Sequence, residues 1–261
     1  VWKLFTFIAH FSRAEILPFK PILLFAKRDF GKRAADAYDY ARFQEELLID
    51  GRFEKIVFAS PDDLRIDLIK NLDRFSAILI SEYTYKDNDT AFTLLEEYSK
   101  TNPVFLIEEK NEPLYLRLEK LSDLSGEKHR VQIVQKNYGA HNTKEIMRGL
   151  FDTLAENLVP IYRVPGHTMP SVSFGAREIT VELDEPINPP EELPMLIKTN
   201  YFPAWKHSDP HSSTPILMAT PTFMLTWITT KKTTLTLTPP PIVPVSYALS
   251  LFGLAGATLY Y

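Results

Sequence analysis

The chain has no cysteine, so disulfides, thiolate metal sites and cysteine nucleophiles are excluded. It has no surplus of positive charge: 29 Lys and Arg against 33 Asp and Glu leave a net charge of −4. A nucleic-acid partner demands a basic face for its phosphates, and this balance argues against that partner class. Glycine is scarce, with 9 residues against 20 prolines. Neither the G-x-G-x-x-G turn of dinucleotide sites nor a P-loop is present, and no G-x-S-x-G elbow or H-E-x-x-H helix occurs. No catalytic residue, metal site or cofactor is therefore assigned from motifs.

Charge itself is missing from the C-terminal end. After Lys232 there is no Asp, Glu, Lys, Arg or His through Tyr261. Residues 242–261 are mostly apolar and small, and a helix of about 20 residues rising ~1.5 Å each spans a ~30 Å hydrocarbon core. The spacing predicts a membrane helix over 241–261, with Tyr260 and Tyr261 at an interface. A buried C-terminal helix or strand pair is the alternative, since Pro244 shortens the useful helix. At the other end, residues 1–11 are apolar but too short to span, and residues 1–35 read as a connecting segment.

What is present is a regular alternation. Ala37, Tyr40, Ala41, Gln44, Leu47 and Leu48 recur at helical spacing and stop at Asp50-Gly51. Apolar runs at 55–59, 77–81, 104–107 and 130–134 read as buried strands. Helical patterns around 64–72, 91–98 and 114–121 separate them, and a long helix follows from Asn142 to about Leu158. Strand–helix alternation of this kind predicts a doubly wound, flavodoxin-like parallel sheet over 36–160.

Beyond residue 160 prolines crowd and the period becomes two. Glu178–Leu183, Pro194–Thr199, Phe223–Ile228 and Thr233–Thr238 read as short strands between Pro-rich turns. A small antiparallel sandwich or barrel is expected over 161–240. The fold class is thus α/β plus all-β, ending in a hydrophobic helix.

Open α/β sheets bind ligands outside the carboxyl ends of their strands. Here those ends carry Ser60-Pro-Asp62-Asp63, Ser81-Glu82-Tyr83 and Glu108-Glu109. Acidic ends repel phosphate, and Asp62 and Asp63 suit helix N-caps. The functional alternative is a sugar or cation site using Asp62 and Glu82. His207-Ser-Asp209-Pro-His211 places three donors within five residues, but with no fourth ligand near it reads as a solvated turn. Acidic pairs such as Glu191-Glu192 read as solvated charge. Tyr201-Phe-Pro-Ala-Trp205 is either an aromatic plug between sheets or a platform for a sugar ring, with Tyr201 and Trp205 as its binding residues.

These last residues carry a family resemblance. Leu196-Ile-Lys-Thr-Asn-Tyr-Phe-Pro-Ala-Trp205, preceded by Ile179-Thr-Val-Glu-Leu183, resembles a strand–turn in the exported C-terminal domain of archaeal polytopic membrane proteins. These are described as pyruvoyl-tetrahydropterin-synthase-related membrane proteins and are similar in plan to C-type glycosyltransferases. Ala219-Thr-Pro-Thr-Phe-Met224 resembles the family's later strand, and Tyr38–Glu45 with Asp50-Gly-Arg-Phe53 the segment introducing its soluble domain. Asn200, Ala204 and the polar loop 206–214 depart from the pattern.

The resemblance implies a non-catalytic extracytoplasmic domain in a cell membrane, with a cell-surface or glycan-related role. Any transferase chemistry would lie in membrane segments outside this chain, so no catalytic residue is carried over. Two alternatives stay open: a self-assembling structural subunit of the cell surface, and the sugar-binding domain of a glycosyltransferase. The expected partners are the membrane through 242–261, a glycan, or further copies of the chain.

Overall fold

The computed structural model describes residues 14–26, 43, 46–47, 49–52, 55–62, 65–81, 88–107, 113–123, 129–134, 142–161, 170–187, 192–219 and 223–238. Two short strands, β1 (Ala14–Ile16) and β2 (Ile22–Phe25), come first. Then follow β3 (Phe58–Ser60), β4 (Ala77–Ile80), α1 (Asn88–Ser99), β5 (Val104–Ile107), α2 (Pro113–Asp123), β6 (Val131–Val134) and α3 (Asn142–Glu156). The remaining strands are β7 (Ser171–Phe174), β8 (Glu178–Glu182), β9 (Leu193–Ile197), β10 (Trp205–His207), β11 (Leu217–Ala219), β12 (Phe223–Ile228) and β13 (Lys232–Leu237).

Strands β2, β4 and β5 read Ile-Leu-Leu-Phe, Ala-Ile-Leu-Ile and Val-Phe-Leu-Ile, and every residue in them is buried. A strand apolar on both faces needs cover on both, which is the condition of a parallel sheet. The strands pair in parallel in the spatial order β3-β2-β4-β5-β6, or 2-1-3-4-5 when the parallel strands are counted along the chain.

The first of them, β2, lies inside the stretch that sequence reasoning treats as a connector. Prolines at 18 and 21 and the cation Lys20 break up its apolar run, so only four residues carry the strand signal. The parallel set therefore has five strands where the sequence reading counts four. A second difference lies between β3 and β4. The helix expected around 64–72 is two single 3₁₀ turns, Ile66–Leu68 and Leu72–Arg74. The side chain of Asn71 accepts from the Asp73 N–H, a local bond that competes with helix continuation and starts the second turn.

The β-rich part does not stand apart from this sheet. Strand β11 lies antiparallel to β3, pairing Met218 with Ser60 and Ala219 with Ala59. Strands β12, β9 and β1 continue outward from β11, giving one nine-stranded mixed sheet, β1-β9-β12-β11-β3-β2-β4-β5-β6. Four strands in the order β10-β13-β8-β7 form a second, antiparallel sheet.

Alternation along each strand sorts side chains between two faces of the large sheet. On one face Leu23, Phe25, Ile78, Ile80 and Leu106 meet Leu95 of α1 and Leu118 of α2. On the other, Ile22, Leu24, Phe58 and Leu79 meet Phe43 and Leu47 of a helical stretch and Phe151 and Leu154 of α3. The second sheet covers the antiparallel end, where Ile179, Val181 and Leu235 pack on Met195, Ile197, Met224 and Ile228. In β12 Met224 and Ile228 face that sheet, while Leu225 and Trp227 face the opposite core.

Among the described residues no helix is long and apolar enough to cross a membrane, the longest being α3 with 15 residues. The segment 242–261, read from sequence as a membrane helix and membrane contact, lies outside the described residues.

Candidate functional site

Strand β9 leaves the sheet at Ile197 and runs into the turn that carries the aromatic residues. Trp205 N–H donates to the Phe202 carbonyl at 3.1 Å, closing a four-residue turn with Pro203 in its second position. Proline presets the φ that this position needs. Thr238 N–H donates to the Ala204 carbonyl at 3.0 Å and ties the turn to the end of β13.

The turn divides its aromatics. Tyr201 is half-buried and packs against two of the cores, the one beneath α3 and the one between the sheets. Its hydroxyl donates to Asp62 Oδ2, just past the carboxyl end of β3. Trp205 opens β10 opposite Leu237 and packs against the inter-sheet core. Its indole Nε1 is buried and has no hydrogen-bond partner among the described residues. Phe202 is the outward ring, 54% exposed.

Of the four residues singled out from sequence, Asp62 and Tyr201 thus meet across 139 positions of chain. Trp205 points into the inter-sheet core, and Glu82 lies outside the described residues. Sequence reasoning passed over Phe202. The available signal was its place immediately before Pro203, where a turn swings one ring out as its neighbours turn in.

The histidine cluster also separates. His207, on β10, is partly buried, with Nε2 at 2.9 Å from Thr214 Oγ1 and 3.0 Å from Thr226 Oγ1. Thr226, fully buried on β12, donates its own proton to the Pro215 carbonyl at 3.0 Å. With that proton committed, the Thr226 hydroxyl meets the imidazole only as an acceptor from Nε2–H. Burial pushes the His207 pKa below its ordinary value, opposed by the nearby Asp209 carboxylate.

His211 is exposed, and Asp209 Oδ1 accepts from its backbone N–H at 2.9 Å in a local turn. From sequence the whole stretch reads as a solvated turn; the hydroxyls that enclose His207 come from residues 214 and 226, too far along the chain to be read with it. Among the described residues no three acidic or His side chains are grouped to hold a metal.

A second concavity, a cleft of about 590 Å³, lies at the amino ends of the parallel strands. Its wall holds Arg74, whose Nε and Nη2 donate to Glu192 at 2.5 and 2.7 Å. The guanidinium carbon sits 5.5 Å from the Trp227 ring centre, a cation–π contact, and Phe75 meets the same ring edge-on at 5.4 Å. Lys20 Nζ donates to the Asp73 carbonyl at 2.6 Å across the opening. Glu192, read from sequence as solvated charge, is thus half of a largely buried ion pair.

No family model matches the chain, and no curated protein matches it. A solved structure with some likeness is translation elongation factor SelB from Methanococcus maripaludis in its apo form. It is 12% identical with a TM-score of 0.36, over 85% of this chain and 52% of that one. The chain spans about half of that factor's length, and a likeness this slight carries no argument about fold or function.

Proposed function

We propose that this chain is a non-catalytic extracytoplasmic domain of an archaeal membrane protein, with a cell-surface or glycan-related role. Its parallel part is flavodoxin-like: the 2-1-3-4-5 strand order supports that finer reading. Its β-rich part is a sandwich built on the same sheet, and residues 241–261 form the hydrophobic helix that anchors it.

The observation that carries the glycan side is the corner made by Asp62, Tyr201 and Phe202. It lies beside the carboxyl end of β3, where open α/β sheets take ligands. It offers a carboxylate fixed by a phenol beside an outward aromatic ring. Such a pairing suits a sugar, whose hydroxyls need fixed polar partners and whose C–H face stacks on a ring. The anchoring side rests on the charge-free stretch after Lys232.

Two assays test this reading. In cell fractions the full chain is expected to stay with membranes after an alkaline carbonate wash, while a chain ending at Thr238 is released. Release of both would remove the anchoring claim. On glycan arrays, Phe202→Ala and Asp62→Ala are expected to weaken a signal given by the parent chain, and unchanged signals would remove the corner.

A further inference from the structure

We propose that the cleft at the amino ends of the parallel strands is a saccharide site anchored by Arg74. The inference deepens the glycan-related reading and rests on it for the class of compound available.

The first observation is an unpaired donor. The Arg74 side chain is only 5% exposed and lines the cleft. Glu192 occupies Nε and Nη2, whereas Nη1 is buried with no hydrogen-bond partner among the described residues. Buried N–H groups without acceptors are rare because the desolvation of the donor goes uncompensated. Nη1 itself is closed off from solvent, and a small displacement of the cleft wall by a ligand would let a ligand oxygen reach it and complete the guanidinium.

The second observation is charge balance. Lys20 and Arg74 on the lining are matched by Asp73 and Glu192, so the cleft has no formal net charge. A phosphate or carboxylate would meet two acids, and an amine two bases. A ligand rich in neutral oxygens suits both signs, since ammonium and guanidinium donate only and carboxylates accept only. A sugar hydroxyl does either.

The third is shape. The volume falls within the range of small-molecule sites, large enough for one or two sugar rings. Pro160, Ile161 and Pro194 line it together with Trp227, giving apolar surface to match the C–H faces of a pyranose. Hydroxyls along the ring edge would reach the polar residues. A purely apolar ligand would leave Arg74 Nη1 as unpaired as before.

Saturation-transfer NMR on the full chain, held in a detergent without a sugar headgroup, tests the site. Glucose, galactose, mannose and N-acetylglucosamine serve as probes, with acetate and inorganic phosphate as charged controls. At least one sugar is expected to bind. The double variant R74M/E192M, which removes donor and partner together, and Ile161→Trp, which fills the cleft, are each expected to weaken it about ten-fold or more.

The spectra are recorded in the Phe202→Ala background, which removes the exposed ring of the aromatic corner and leaves the cleft intact, and urea midpoints near the value of that background would show that the cleft variants are folded. Absence of binding by every sugar overturns the proposal. So does binding unaltered in both cleft variants, or phosphate or acetate binding more tightly than any sugar. Membrane attachment is read separately by fractionation, so a failure of the cleft and a failure of the location are distinguishable.

Discussion

Tyr201 and Asp62 are joined by a hydrogen bond between the end of β9 and the end of β3, strands separated in the sheet by β12 and β11. The bond spans the antiparallel pair that splices the β-rich strands onto the parallel ones. It fixes the aromatic turn beside the carboxyl end of the parallel strands.

Tyr201→Phe removes that bond and keeps the ring's packing. A hydrogen bond to a charged but exposed acceptor contributes about 1 kcal/mol. The urea midpoint is expected to fall by the corresponding amount, with the m-value unchanged. Phe202→Ala, at an exposed ring, is expected to stay within about 0.5 kcal/mol of the parent. A larger loss at Phe202 than at Tyr201 would mean that the turn is held otherwise.

Arg74 and Glu192 give a sharper contrast. Arg74→Met alone leaves the largely buried Glu192 carboxylate without its guanidinium partner and is expected to cost about 3 kcal/mol. Replacing both with methionine removes the stranded charge, and the double variant is expected to lie near the parent in urea titration. Equal losses in the single and double variants would contradict the pairing.

Phe58 is fully buried on the α3 face of the sheet, with its ring centre 5.8 Å from that of Phe43 and 6.3 Å from that of Phe151. Phe58→Ala opens a cavity between the Phe43 and Phe151 rings and is expected to cost about 3–5 kcal/mol. Leu68→Ala, on a half-exposed 3₁₀ turn, serves as the control and is expected to change little.

His207 makes stability depend on pH. Its folded pKa lies below the ordinary value of 6.5, because burial disfavours the imidazolium. The unfolded chain then binds more protons than the folded one in that window. The contribution is complete above pH 6.5 and is lost as pH falls from there through the folded pKa. Denaturant midpoints measured from pH 7.5 to 5 are expected to decline with a slope that His207→Gln reduces. An identical slope in the variant would remove His207 as its source.

Sequence periodicity located most elements because burial imposes it. Val104–Ile107 and Ala77–Ile80 are continuous apolar runs, Phe223–Ile228 is buried on both faces with Thr226 its one polar residue, and Glu178–Glu182 alternates as a half-buried strand does. What stayed hidden depends on partners distant in sequence. Strand β2 is short and flanked by prolines, and only its place between β3 and β4 makes it central. Strand β11, three residues long, joins the two parts of the sheet, and no local pattern announces its pairing with Ser60.

The candidate site was legible to the same degree. Asp62 and Tyr201 stand out by residue type, but their contact across the sheet does not. Arg74 was invisible beside Asp73 in a charged stretch, since its burial comes from Trp227 and Glu192 more than 100 residues away.

The absence of cysteine makes the location of the domain directly measurable. Ser213 is exposed in the loop after His211, so Ser213→Cys gives a single surface thiol on an otherwise thiol-free chain. Intact cells producing this variant are treated with a membrane-impermeant maleimide, and the labelling is compared with that of lysed cells. An extracytoplasmic domain is expected to label fully before lysis. Labelling only after lysis would contradict the proposed location.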